Sequence, residues 1–151
     1  MTRAFSVQRI DHVVFRVRDL CKSVEFYRNV LGCDVVRERK HLGLVHLRAG
    51  ASMIDLVSVD GKLGIRGGAA PASQAKNVDH VCLRIEPFNE SDLLTHLNKH
   101  ALSPLGSAEI NFGAEGDGAS LYFPDPDGNV IELKGPSAIV ENHSQPNSQS
   151  S

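Results

Sequence analysis

The sequence lacks any run of about 18 apolar residues, which is the length that a membrane-spanning helix needs. Its first ten residues, MTRAFSVQRI, also lack the apolar stretch of a secretory signal. We therefore expect a cytoplasmic protein that has no membrane partner.

Cysteine is scarce, and charge of one sign is nowhere concentrated. The three cysteines are odd in number and show no paired spacing, which argues against a disulfide framework and against a cysteine zinc site. The 16 basic and 18 acidic residues are spread along the chain, and no Lys/Arg cluster is available to bind a phosphate backbone. We expect a soluble globular protein that does not bind nucleic acid.

The chain contains an internal repeat. IDHVVFRV at 10–17 and VDHVCLRI at 78–85 are identical at four of eight positions, and each is followed by a pattern typical of one helix and three strands. This order predicts an α+β fold of two paired βαβββ modules with curled mixed sheets. Within one domain at 8–135 we place module 1 at 8–60, a linker at 60–77 and module 2 at 77–135. The polar tail at 136–151 is predicted to be disordered.

Helix and turn signals support these boundaries. Asp19 and Asn89 stand where N-caps are expected, and Gly32 follows the first helix as a stop signal. The sequence DPDG at 125–128 predicts a turn between the last two strands. The glycine-rich segment 112–120 is interpreted as a loop over the site.

On each repeated strand, the histidine lies on the side opposite to the apolar residues that suit packing against the helix. Alternate side chains of a strand share a face, so His12 and His80 both lie on the face that their own helix does not cover. Each module also ends on a strand with a central acid. By the same parity, Asp55 and Glu132 share the histidines' face, where an apolar-flanked carboxylate is costly unless it is paired or binds a metal.

Two imidazoles and two carboxylates suit a borderline divalent ion. If the first and last strands of each module are neighbours, paired modules bring His12, Asp55, His80 and Glu132 together around one ion per site, either Zn, Ni, Co, Mn or Fe. Positions left open for water or a chelating substrate would make the centre catalytic. The alternative is a structural repeat whose polar residues bind no metal.

These residues resemble the vicinal oxygen chelate superfamily, which includes glyoxalase I, methylmalonyl-CoA epimerase, extradiol dioxygenases and the fosfomycin and bleomycin resistance proteins. The resemblance covers about residues 8–135. It rests on the two opening strands and on SLYFPDPDGNVIEL at 120–133. It implies paired modules around a divalent metal, with His12, Asp55, His80 and Glu132 as ligands, and the set is most similar to glyoxalase I. Asp55 stands where that enzyme usually has the longer Glu, which leaves open whether Asp55 binds directly or through water.

The resemblance implies a lyase or isomerase that acts on a small substrate with vicinal oxygens through an enediolate-type intermediate. Glu132 is expected to act as the base and Asp55 as its counterpart. Arg16 matches a position that contacts the glutathione carboxylate in bacterial glyoxalase I, which implies a small-molecule substrate such as a glutathione adduct. The alternative is that Arg16 lines a different anionic pocket.

Three further side chains lie on the same strand faces as the candidate ligands. Cys82 and Tyr122 are expected to line the pocket, and His46 either lines it or has no ligand role.

Two other functions use the same scaffold. An extradiol Fe(II) dioxygenase would use two histidines and one carboxylate, and a resistance-type protein would bind a small molecule or antibiotic without catalysis. The linker is long enough for the modules to pair within one chain or between two. We expect a homodimer.

Overall fold

The computed structural model describes residues 4–137, in which each half of the chain forms one helix and one four-stranded sheet. The first half contains β1 (His12–Val17), α1 (Leu20–Asn29), β2 (Asp34–Arg39), β3 (Leu44–Ala49) and β4 (Ser52–Ser58). The second contains β5 (His80–Arg84), α2 (Glu90–Lys99), β6 (Glu109–Gly113), β7 (Gly116–Pro124) and β8 (Val130–Lys134). The predicted α+β fold of two βαβββ modules is confirmed. Of the predicted disordered tail, residues 138–151 lie outside the described residues.

The first and last strands of each module are neighbours. The strand order is β1-β4-β3-β2 in sheet 1 and β5-β8-β7-β6 in sheet 2, and only the β1–β4 and β5–β8 pairs are parallel. Val14 pairs with Asp55, and Cys82 pairs with Glu132. Paired residues of neighbouring strands share a face, so each histidine, two residues earlier, lies on the same face as the acid of its module.

Both helices begin at the predicted caps. The side chains of Asp19 and Asn89 accept hydrogen bonds from the backbone N–H groups of Lys22 and Asp92, each at 3.0 Å. A cap of this kind stabilises a helix by about 1 kcal/mol. After α1 the chain turns at Gly32, whose φ of +67° lies in the left-handed region that glycine adopts without strain.

The helix-covered faces of both sheets meet in one hydrophobic core. Phe26 of α1 contacts Phe123 of β7, with ring centroids 6.2 Å apart. The core residues that are fully buried come from both modules and are Val17, Tyr27, Leu47, Leu56, Leu121, Phe123 and Ile131. Burial of one large apolar side chain contributes about 1.5–3 kcal/mol, so this shared core fixes how the modules pack. The opposite face of each sheet, called its open face below, is turned away from this core.

A polar cluster ties α1 to the turn between β7 and β8. The buried hydroxyl of Tyr27 donates to Asp125 Oδ2 at 2.8 Å. Asp127 accepts from the Arg18 backbone N–H at 2.9 Å and from the Ser23 hydroxyl at 3.3 Å. Asp125 and Asp127 belong to the predicted DPDG turn, which therefore also joins the two modules.

The segment after β4 crosses the open face of sheet 1. Residues 63–69, called the strap below, are held by Arg16 of β1. Its guanidinium donates to four carbonyl oxygens, those of Gly64 (2.9 Å), Gly67 (3.1 Å), Gly68 (2.5 Å) and Ala69 (3.1 Å). Within residues 4–137, neither helix has the length and apolar character that crossing a membrane requires.

Candidate metal centre

The open face of sheet 2 holds His80 and Glu132 side by side. The Nδ1–H of His80 donates to Asp79 Oδ2 at 2.7 Å, and its Nε2 lies 3.0 Å from Glu132 Oε2. The other carboxylate oxygen, Oε1, accepts from the Ser120 hydroxyl at 2.5 Å. Glu132 is buried. The Ser120 hydroxyl holds its carboxylate on one side, and the carboxylate faces an imidazole nitrogen on the other.

The open face of sheet 1 repeats part of this arrangement. The Nδ1–H of His12 donates to Asp11 Oδ1 at 2.8 Å. Asp55 is buried in the neighbouring strand, and His46 Nδ1 lies 2.9 Å from its Oδ1. The two atoms are close but are not arranged as a hydrogen bond. Asp55 Oδ1 therefore has no hydrogen-bond partner among the described residues. A buried carboxylate oxygen without a partner is costly, and an ion or a ligand hydroxyl would satisfy it.

The aspartate before each histidine makes the same hydrogen bond, to Nδ1 of that histidine, in both modules. A carboxylate that accepts from Nδ1–H fixes the ring and leaves Nε2 as the free lone pair, which is how metal-binding histidines are commonly oriented. The bond to Asp11 raises the pKa of His12, and the bond to His12 lowers the pKa of Asp11. Sequence reasoning missed Asp11 and Asp79, although the repeated Asp-His pair was the available signal.

The four predicted ligands are not gathered within one chain. Among residues 4–137, no three side chains of His, Cys, Asp or Glu lie close enough to hold one ion. His12 and His80 border the same cavity of about 810 Å³, which lies along β1 and β5. Each module therefore supplies one histidine and one acid on its own open face.

The chemistry of these donors fits a divalent ion. With Nδ1–H given to Asp79, the Nε2 lone pair of His80 faces a carboxylate oxygen of Glu132, and two such atoms repel unless a proton or a cation lies beside them. Nitrogen and oxygen ligands bind zinc at about 2.0–2.2 Å, so two ligands 3.0 Å apart can share one ion. Asp55 Oδ1, which has no hydrogen-bond partner among the described residues, is a third donor.

Cys82 and Tyr122 lie beside Glu132, on the face where the sequence places them. Burial and the nearby Glu132 raise the pKa of the Cys82 thiol to about 11 and that of the Tyr122 hydroxyl to about 12. Both groups therefore stay protonated at neutral pH, which suits a pocket wall better than a nucleophile. The Tyr122 ring meets the His80 ring edge-on at 5.5 Å, and Asn111 Nδ2 donates to its hydroxyl at 3.0 Å.

Arg16 and the segment 112–120 lie in surroundings that the sequence did not predict. Arg16 holds the strap, with its guanidinium donors directed to backbone carbonyls, and its binding of substrate stays a prediction. The interpretation of 112–120 as a loop was wrong, because these residues form the β6–β7 hairpin, in which Phe112 pairs with Asp117. The buried Lys134 donates to Gly116 O at 2.9 Å and holds that hairpin at its turn.

Two paired βαβββ modules, each with a histidine and an acid on its open face, define a repeated-module protein with a candidate metal centre. The family model for the Glyoxalase/Bleomycin resistance protein/Dioxygenase superfamily matches residues 9–133, and the chain belongs to this superfamily.

Relatives that carry several different names are similar to this chain in sequence, and one of them is also similar in its solved structure. Virulence protein STM3117 of Salmonella typhimurium is 28% identical over 127 residues, which are 84% of this chain and 83% of that protein. In the structural comparison its crystal structure is 25% identical, with a TM-score of 0.70 over 88% of this chain and all of the other. Human mitochondrial methylmalonyl-CoA epimerase is 27% identical over 86% of this chain and 75% of its own. Metallothiol transferase FosB of Staphylococcus haemolyticus is 26% identical over 84% and 83%.

Proposed function

We propose that the protein is a divalent-metal-dependent lyase or isomerase of the glyoxalase I type, acting on a small substrate with vicinal oxygens. The site forms between two copies of the chain, with His80 and Glu132 from one copy and His12 and Asp55 from the other. The observation that carries the proposal is the pairing of His80 Nε2 with Glu132 Oε2 at 3.0 Å, while Asp79 holds the other ring nitrogen. A metallothiol transferase and an epimerase among the relatives support metal use and isomerisation.

The packing of the two modules supports the assignment to two copies. The modules of one chain share a core through their helix-covered faces, and each open face carries only two of the four donors. A second copy, related by a two-fold axis, can bring the open face of its sheet 1 to the open face of sheet 2. Such a dimer has two equivalent sites.

The residues of the chain would divide the chemistry as follows. A bound divalent ion would polarise a substrate carbonyl and stabilise the negative charge that develops on its oxygen. Glu132 would act both as a ligand and as the base. Ser120 holds Oε1, and Oε2, which faces His80 Nε2, would take the proton from the neighbouring carbon. Asp55 would carry a proton on the opposite side of the substrate. Cys82 and Tyr122 would line the pocket as neutral groups.

Elemental analysis of protein purified without chelator tests the metal. We expect one divalent ion per chain, and we expect it to be lost in His80→Ala. Asp79→Asn should weaken metal affinity by about 10–100-fold, because a histidine that loses its carboxylate partner binds metal less well. Asp60→Asn is the matched control, since Asp60 is exposed and makes no side-chain hydrogen bond among the described residues. Wild-type protein that takes up no metal even after reconstitution would leave a binding protein as the better interpretation.

Mixing two inactive variants tests the assignment to two copies. His12→Ala and His80→Ala each damage both sites of their own dimers. In an exchanged mixture, each mixed dimer regains one site with both histidines intact, so about a quarter of all sites should recover metal. A site formed within one chain recovers none. Activity is measured with a glutathione hemithioacetal.

One observation favours a second candidate, an extradiol-type Fe(II) dioxygenase. Asp55 Oδ1 lies 2.9 Å from His46 Nδ1, within ion-pair distance. An ion pair with His46 would leave His12, His80 and Glu132 as a two-histidine, one-carboxylate set. Catechol cleavage by the iron-loaded protein, in the absence of hemithioacetal turnover, would select this function.

A further inference from the structure

The strap and the open face of sheet 1 enclose a second cavity, of about 460 Å³. Its apolar lining comes from three strands of the sheet and from the strap, through Val14, Leu44, Val57 and Leu63. Asp55 also borders it. The cavity therefore joins an apolar space to the carboxylate that we assign to the metal centre.

Three charged side chains border this cavity, Arg16, Asp55 and Arg66. The guanidinium of Arg16 is directed to four carbonyl oxygens of the strap, so its donors are used within the chain. Within residues 4–137, Asp55 Oδ1 is buried without a hydrogen-bond partner, and the carboxylate would repel a second carboxylate. It would accept a hydrogen bond from a ligand hydroxyl. Arg66 is exposed, and its Nε donates to Leu63 O at 3.1 Å within the strap. Apart from this exposed guanidinium, the cavity offers apolar walls and one acceptor.

We propose that this cavity is the subsite for an uncharged apolar group of the substrate, an alkyl chain or an aromatic ring, carried next to a hydroxyl that lies at Asp55. Arg16 is then a positioning residue that holds the strap as the outer wall. The inference rests on the proposed function only in placing the substrate's oxygens at Asp55. On this proposal the cavity binds an apolar group of the substrate, and Arg16 does not bind a substrate carboxylate.

Gly67 lies directly against the guanidinium of Arg16, with no room for a Cβ unless one of them moves. A Cβ at Gly67 would lie 2.4 Å from the guanidinium carbon of Arg16, so Gly67→Ala must displace either the arginine or the strap. Gly106→Ala is the matched control, because a Cβ there meets no atom within 4 Å. The two substitutions add the same methyl group, and only one of them disturbs the wall of the cavity.

Methyl NMR titrations of metal-free protein test the subsite with two probes that share a phenyl ring. 1-Phenyl-1,2-ethanediol is uncharged, whereas mandelate carries a carboxylate in place of one carbinol. We expect the diol to shift the methyl signals of Leu44, Val57 and Leu63 and to bind at least about tenfold more tightly than mandelate, because Asp55 repels the anion. Leu63→Ala and Gly67→Ala should weaken binding of the diol, and Gly106→Ala should leave it unchanged.

Arg16→Met separates a wall residue from an anion-binding residue. If Arg16 holds the strap, the substitution weakens both probes by the same factor. If Arg16 binds the substrate's anion, it weakens mandelate alone, and the proposal is overturned. Mandelate binding as tightly as the diol, or a diol that shifts none of these methyl signals, would also overturn it. Because the titration needs no metal, elemental analysis can fail while the subsite stands, and the reverse also holds.

Discussion

Removing the Tyr27 hydroxyl should weaken the contact between the two modules. Tyr27 is fully buried, and its hydroxyl donates to the buried carboxylate of Asp125 at 2.8 Å. A hydrogen bond to a charged group contributes about 1.5–3 kcal/mol. Tyr27→Phe leaves no cavity beyond the oxygen, and Asp125 keeps two backbone N–H donors and the Asn129 amide at 2.7–2.9 Å. We therefore expect a loss near the lower end, about 1.5–2 kcal/mol.

Urea denaturation followed by circular dichroism, at one fixed protein concentration, measures this loss as a lower midpoint at an unchanged slope. The control is Tyr122→Phe, which removes the hydroxyl of the other tyrosine in the chain. That hydroxyl accepts from Asn111 on the open face and takes no part in the contact between modules, so we expect a loss under about 1 kcal/mol. Equal losses in the two variants would refute the assignment of Tyr27 and Asp125 as a joint between modules.

Three further predictions concern the core, the thiols and a helix cap. Phe123→Ala should lower the free energy of unfolding by about 3–5 kcal/mol because Phe123 is fully buried, whereas Phe112→Ala, at 84% exposed, should change it by under about 0.5 kcal/mol; chemical denaturation compares the two. A thiol reagent at pH 8 should label the exposed Cys21 quickly and Cys33 only after unfolding, since burial raises the pKa of Cys33 to about 11; fast labelling of Cys33 in folded protein would contradict this. Asp19→Ala should cost about 1 kcal/mol, measured as a lower urea midpoint, with Asp19→Asn retaining most of the stability.

The repeat made most of the fold predictable. A periodicity of two on the strands and a capped amphipathic pattern on the helices are local signals, and they gave the element order and the face of each strand. His12, Asp55, His80 and Glu132 could be placed on their faces for the same reason. The hairpin at 112–120 was missed because its glycines suggest a loop, whereas backbone pairing and the contact with Lys134 make it a strand pair.

Which groups pair across strands was beyond local pattern. The pairing of His46 with Asp55 depends on the register of β3 against β4, and the use of Arg16 depends on where the strap returns over sheet 1. Neither is encoded in a short window of sequence, because both join residues that are brought together by the folded sheet. Asp11 and Asp79 are the exception, since each is adjacent to its histidine and was visible in the repeat.

The sequence by itself determined that two equivalent strands each carry one histidine and that each module ends on a strand with one acid. Side-chain alternation along a strand is a property of the backbone, and it requires no knowledge of neighbours. Tertiary structure alone decided that the modules of one chain pack through their helix-covered faces. Their shared core places the donor pairs on separate open faces, and among residues 4–137 no three of these side chain types lie close enough to hold one ion. For this reason we propose that a second copy of the chain completes the centre.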